Sequence, residues 1–232
     1  MKSSIGVSST VALLVVAATI ACGPSDAAKR RADSAVAAAA KAHVISQAGE
    51  VIGARREAQI FFDSARASFV LKHRAAAARS LRDAAAFTRQ QSDSAAGMDK
   101  DALGASAKEL ERLATRISRG AVTSVKTLDY AIARTQLAEA QHHYTRMIAA
   151  WNKNDAGVAG AELTMAIDHF DRGVSDAGLH LATATQATLA DVRTLAREMT
   201  SGAIVNAADV EKTLTAFDSE LQNTSTIVAK KK

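Results

Sequence analysis

From residue 25 to residue 232 the chain contains no proline, because Pro24 is the only one in the sequence. Proline breaks a helix interior by removing a donor and clashing with the preceding turn, so everything after Pro24 is free to be helical. The residues that fill this stretch favour that outcome. The hydrophobic share is 48%, much of it alanine, which has the best intrinsic helix propensity but little surface to bury. Aromatic residues make up only 4%, and β-branched residues form no long alternating runs of the kind a strand needs. The expectation is an all-α fold, a bundle or short helical-repeat array of about six to seven helices with a few large side chains as anchors.

Periodicity and punctuation place these helices at about 27–71, 75–92, 99–120, 122–151, 156–172, 176–200 and 206–228, within a helical domain over 27–229. Asp99, Asp155 and Asn206 are candidate N-caps, and Gly120 and Gly202 suit the left-handed residue that closes a helix. The clearest face lies on the fourth helix. Tyr130, Leu137, Tyr144 and Trp151 are seven apart, and Ala133, Ala140 and Met147 follow three later. That pattern is a seam of alternating large and small residues. Ile60, Phe61 and Phe62 cannot all enter one such seam, since neighbours point about 100° apart around a helix; either that helix is buried on several sides or one residue is exposed.

The chain also repeats with an offset of 82 residues. Glu57-Ala58-Gln59 matches Glu139-Ala140-Gln141, Phe62 falls on Tyr144, Phe69 on Trp151, Leu81 on Leu163, and Gly120-Ala121-Val122 on Gly202-Ala203-Ile204. The expectation is an internal duplication of a three-helix unit, at about 43–122 and 125–204, with the last helix at about 206–228 an incomplete third copy. The hairpins from Glu57 to Gln91 and from Glu139 to Gly173 resemble tetratricopeptide-type helix pairs, without that family's Trp, Gly, Tyr and Pro spacing. Stacked repeats make surfaces that suit protein partners.

The first residues carry a different signal. Lys2 precedes an uncharged apolar stretch from Ile5 to Ile20, and Thr19-Ile20-Ala21-Cys22 ends it, which is the layout of an export signal. This tetrapeptide resembles the lipobox of bacterial lipoproteins, with threonine where leucine is usual. The resemblance implies cleavage between Ala21 and Cys22 by signal peptidase II and a diacylglyceryl group on the Cys22 thiol. Cys22 is the only cysteine. On this reading residues 1–21 are the signal peptide, 22–26 a lipidated tether and 230–232 a basic tail. Gly23, where aspartate would favour inner-membrane retention, implies the outer membrane if the organism has two. The body then lies in the cell envelope, facing the periplasm or the exterior. Lys29-Arg30-Arg31 would lie near the bilayer surface, where basic residues gain from anionic lipid, but a solvated first helical turn is the favoured reading of them.

Little in the body points to chemistry. Lys2, Lys230, Lys231 and Lys232 account for four of the net +5 charges, so no basic face and no nucleic-acid partner is expected. There is no strand–turn–helix serine elbow and no glycine-rich phosphate loop, so no catalytic residue is named and the chain is read as a non-enzyme with no cofactor. The one sharp constellation is Glu139-x-x-His142, whose spacing puts both side chains on one helix face as in carboxylate-bridged di-iron bundles. His169 could join it if the fourth and fifth helices pack face to face. The repeat counterparts of His142 and His143 are Ile60 and Phe61, which favours ordinary surface or boundary histidines over a metal site at Glu139, His142 and His169. The expected function is a membrane-tethered, non-enzymatic interaction or structural module with an envelope protein partner or self-association. The alternative is a metal- or small-ligand-binding bundle that uses the Glu139, His142 and His169 region.

Overall fold

The computed structural model describes residues 59–231. The signal segment, Cys22, the tether, Lys29-Arg30-Arg31 and the early part of the first helix lie outside the described residues. Among the described residues there are seven helices and no strand: α1 over 59–70, α2 (Arg74–Ser94), α3 (Gly97–Ser118), α4 (Val125–Asn152), α5 (Ala156–Asp176), α6 (Thr183–Ser201) and α7 (Ala207–Ala229). The fold is therefore all-α, as the sequence predicts. No described helix is long and apolar enough to cross a membrane.

Two of the three expected caps form. The Asp155 carboxylate accepts from the Val158 amide at the start of α5, and the Asn206 side chain accepts from the Ala208 amide at the start of α7. Two boundaries differ from the sequence reading. Asp99 is not the cap of α3, which begins at Gly97, and its side chain turns into the protein. Asp176 does not start α6 but ends α5; Gly178, at φ +59°, stops that helix and a short connection leads to Thr183. A glycine in the left-handed region is a strong helix stop, and it is this one that the sequence reading passed over.

The 82-residue repeat is present in the elements themselves. Arg74–Ser94 shifted by 82 is 156–176, the span of α5, and the first residue of α4, Val125, shifts onto the first residue of α7, Ala207. The two non-glycine residues with positive φ, Lys72 and Asn154, are 82 apart, as are Gly120 and Gly202, which share a φ near +74°. Every buried position of α2 (77, 78, 81, 84, 85, 88 and 92) shifts onto a buried position of α5. The scaffold thus repeats α1–α2–α3 as α4–α5–α6 and begins again with α7.

Helix α4 is the hub. It packs on α3, α5 and α7, reaches α1 through Asp129 and Gln136, and reaches α2 through Glu139. Its predicted seam is buried as expected: Ala133, Leu137, Ala140 and Met147 enter the core, with Tyr130, Tyr144 and Trp151 against it. The stripes Ala159–Val174 on α5 and Val210–Leu221 on α7 join the same core. A second core, around Phe62, Leu81, Leu110, Ile117 and Ile132, joins α1–α3 to the start of α4. Of the Ile60-Phe61-Phe62 run, Phe62 is buried, Phe61 packs at the edge and Ile60 stays exposed. Helix α7 ends the array: where α4 has Ala133, Leu137 and Ala140, α7 carries exposed Thr215, Ser219 and Gln222. A polar outer face on a terminal unit keeps a repeat array from growing.

Neighbouring helices run antiparallel, so the C-termini of α1, α3, α5 and α7 gather at one end. That end is basic, carrying exposed Lys72, Arg74, Arg116, Arg119, Lys126 and Lys230. The opposite end carries exposed Asp93, Asp101, Asp155, Glu198 and Asp209. The modest net charge thus hides a strong separation of sign, and the expectation of no basic face does not hold.

Candidate functional site

The three residues singled out by the sequence come together. Glu139, His142 and His169 are all buried, and with them lie Thr88, Ser92, Gln136, His143, Glu162 and the inward-turned Asp99. Ordinary surface or boundary positions are therefore not what these histidines occupy. Asp171, two residues beyond His169, pairs with Arg193 on α6.

The layer is built from four helices. α4 contributes residues 136, 139, 142 and 143, which fall on successive turns of one side. α5 faces it with Glu162 and His169, α2 with Thr88, and α3 with Asp99. Polar side chains are admitted here because α4 has core on nearly every side, so even its polar stripe is covered.

The hydrogen bonds fix the imidazoles. His143 Nδ1 lies 2.7 Å from Glu162 Oε2, and Arg146 Nη2 holds the other carboxylate oxygen at 2.6 Å. Gln136 Nε2 donates to Gln59 Oε1 at 3.2 Å, so its Oε1 is left to accept from His169 Nδ1 at 2.6 Å. Both rings thus carry the proton on Nδ1, and in the neutral form Nε2 holds the lone pair. The two rings stack with centroids 5.3 Å apart and planes 10° from parallel. Orientation of a histidine by a second group on its far nitrogen is how proteins present imidazole to a metal.

Two groups are electrostatically uncomfortable. Glu139 is 2% exposed; its Oε1 accepts from Thr88 Oγ1 at 3.4 Å and its Oε2 lies 3.3 Å from His169 Nδ1. Burial pushes its carboxyl up to about 7, against the opposing pull of the Thr88 hydroxyl and the Arg172 charge. His142 is 5% exposed, and both of its ring nitrogens are buried without a hydrogen bond. Its Nδ1 is 3.5 Å from Asp99 Oδ2, near enough for attraction but not aligned for a hydrogen bond. Burial lowers its pKa, helped by the charges of His143 and Arg146. A buried unsatisfied nitrogen costs about 1–3 kcal/mol. Among the described residues, no three His, Cys, Asp or Glu groups already converge as a ligand set.

The repeat supplies a control. At the same positions of the other copy the residues are apolar. Thr88 corresponds to Phe170, Ser92 to Val174, Thr135 to Phe217 and Glu139 to Leu221, all four of them apolar core. Phe170 and Phe217 meet edge to face at 5.7 Å. His143 and His169 correspond to Phe61 and Phe87, which pack against the second core, around Phe62 and Leu81. The scaffold therefore closes with apolar residues in place of Thr88, Ser92, Thr135, His143 and His169, whereas Glu139 matches Glu57 in the preceding copy and Glu162 matches Ser80. The sequence reading missed Thr88, Asp99, Gln136, His143 and Glu162 as members of one layer; alignment by the repeat with Phe170, Leu181 and Phe61 is a signal for Thr88, Asp99 and His143, and Gln136 and Glu162 carry none of this kind.

No protein-family model, no curated protein and no solved structure matches the chain.

Proposed function

We propose that the chain is a membrane-tethered binding module whose polar layer takes up a small cation, a divalent transition-metal ion foremost. The tether is the acylated Cys22 implied by the lipobox resemblance. The observation that carries the binding reading is that His143, His169 and Thr88 stand where the neighbouring copies of the repeat have Phe61, Phe87 and Phe170. Burying imidazoles and a carboxylate in place of such residues costs stability, and a site that must hold a ligand gives a reason to retain them. Imidazole suits zinc, copper, nickel and iron, and a carboxylate completes such a site. A turn of the His142 ring would bring a third donor, and the ion would satisfy a His142 nitrogen that makes no hydrogen bond. This favours ligand binding over a purely structural role.

The test is titration of the full chain with cobalt(II), zinc(II), nickel(II), copper(II) and manganese(II), followed by visible absorbance for cobalt and by thermal unfolding for all. At a hundredfold excess over Kd, an ion bound only to the folded state adds about 2.7 kcal/mol. The reading predicts one saturating equivalent for at least one of these ions, and loss of the effect in the His143→Phe/His169→Phe variant. No shift with any ion would contradict it.

A further inference from the structure

We infer that the basic end of the bundle docks on an anionic phospholipid surface, with Val70 and Leu71 entering its interface. This inference is independent of the polar layer. Two observations meet at that end. Lys72, Arg74, Arg116, Arg119, Lys126 and Lys230 are exposed there. Among them sit Val70 and Leu71, 63% and 64% exposed at the close of α1. The acidic groups beside them are already engaged, because Arg66 binds both Asp129 and Asp176.

Cations do complement helix C-termini, but the repeat shows that this fold does not require them. The positions equivalent to Lys72, Arg74, Arg116, Arg119 and Lys126 are Asn154, Ala156, Glu198, Ser201 and Ala208, and they close or open the corresponding helices equally well. Val70 and Leu71 likewise correspond to Asn152 and Lys153. The opposite end also exposes apolar side chains, Met98 and Ile204, but it carries Asp93, Asp155, Glu198 and Asp209, which an anionic surface repels. At that opposite end Lys100 and Lys153 are outnumbered by carboxylates, whereas at the basic end the apolar wedge lies among six exposed cations, the combination that holds peripheral proteins at anionic lipid.

The experiment compares binding of the full chain to vesicles of phosphatidylcholine alone and of phosphatidylcholine with phosphatidylglycerol. Any contribution of the N-terminal segment is common to all variants, so the preference for anionic vesicles is the readout. The expected preference at low salt is about tenfold or more, falling in high salt. It disappears in Lys72→Glu/Arg116→Glu/Arg119→Glu, and Val70→Ser/Leu71→Ser weakens it while leaving the salt dependence. Charge reversal at the other end, Asp93→Lys/Asp101→Lys, leaves it intact and controls for a general effect of reversing surface charge. An equal preference in the wild type and the triple variant would overturn the inference. So would displacement from vesicles by millimolar inorganic phosphate, which would mark a free-anion site, or tighter binding to duplex DNA than to anionic vesicles.

Discussion

Thr88 and Phe170 occupy the same buried position in two successive copies of one helix. Around Phe170 the layer closes on Phe217 and Leu221; around Thr88 it closes on Thr135 and Glu139. Replacing a buried polar group by its apolar counterpart is often neutral or stabilising. Glu139→Leu/Thr88→Val should therefore raise stability at neutral pH by about 1–3 kcal/mol, or ~2–4 °C in Tm per kcal/mol for a chain of this size. Urea unfolding checks this; a loss of 2 kcal/mol or more would show that the polar layer holds the fold together.

The Glu139 carboxyl makes the metal-free protein pH-dependent. Its folded pKa, about 7, lies above the ordinary glutamate value of 4.5, so the folded state binds the extra proton between those values. The stability from this group is fully present below about pH 4.5 and is lost as pH rises through about 7, on the order of 3 kcal/mol in all. His142 acts the opposite way: its lowered pKa costs stability as the pH falls below 6.5. In Glu139→Gln the decline toward pH 7 should vanish while the acid-side loss from His142 remains. Because the two slopes oppose each other below pH 6.5, the readout is the wild type minus Glu139→Gln; a difference in unfolding free energy that stays constant between pH 4.5 and 7.5 would contradict this.

Gly160 marks the closest approach of α5 and α6. A Cβ there would stand 2.5 Å from Thr200 Oγ1, 2.6 Å from the Thr200 amide nitrogen and 2.8 Å from the Ala196 carbonyl oxygen. Two of these are backbone atoms and cannot swing aside. Gly160→Ala should cost about 1–3 kcal/mol through overpacking. Gly104→Ala meets only Ser92 Oγ, at 3.3 Å; with up to ~1 kcal/mol of helix propensity in its favour, it should be close to neutral. Equal effects of the two variants in denaturant unfolding would refute the packing argument.

Arg66 joins three helices, donating from Nε to Asp129 at 2.7 Å and from Nη2 to Asp176 at 2.8 Å. Burial already raises the Asp176 pKa, with Arg66 opposing it. Arg66→Ala leaves two half-buried carboxylates facing each other and should cost about 2 kcal/mol. Asp129→Asn in that background should recover part of the loss, because the repulsion goes with the charge. A double variant no better than Arg66→Ala alone would place the loss elsewhere.

Helix number, the repeat and the apolar seams were legible in the sequence because they rest on local signals: periodicity, capping residues and glycines after helices. The seam through Leu137 and Met147 and the stripe through Leu163 and Phe170 needed nothing more. The site was harder. Glu139, His142 and His169 were identifiable by residue type, but their burial was not, since Thr135, Gln136, Glu139 and His143 read as the polar outer face of α4. That face is covered only because α1, α2 and α3 fold back onto it, and such long-range packing leaves no periodic trace. The charge separation was hidden for a related reason: it arises from the alternating direction of the helices, not from any run of like charges.

The most direct measurement is the metal content of the full chain isolated from its native source, compared with that of His143→Phe/His169→Phe prepared in parallel. The account predicts about one transition-metal ion per wild-type chain and none in the variant, with both proteins folded when stripped of metal. A wild-type chain that carries no metal and takes up none on equilibration with zinc, or a variant that retains as much as the wild type, would contradict it.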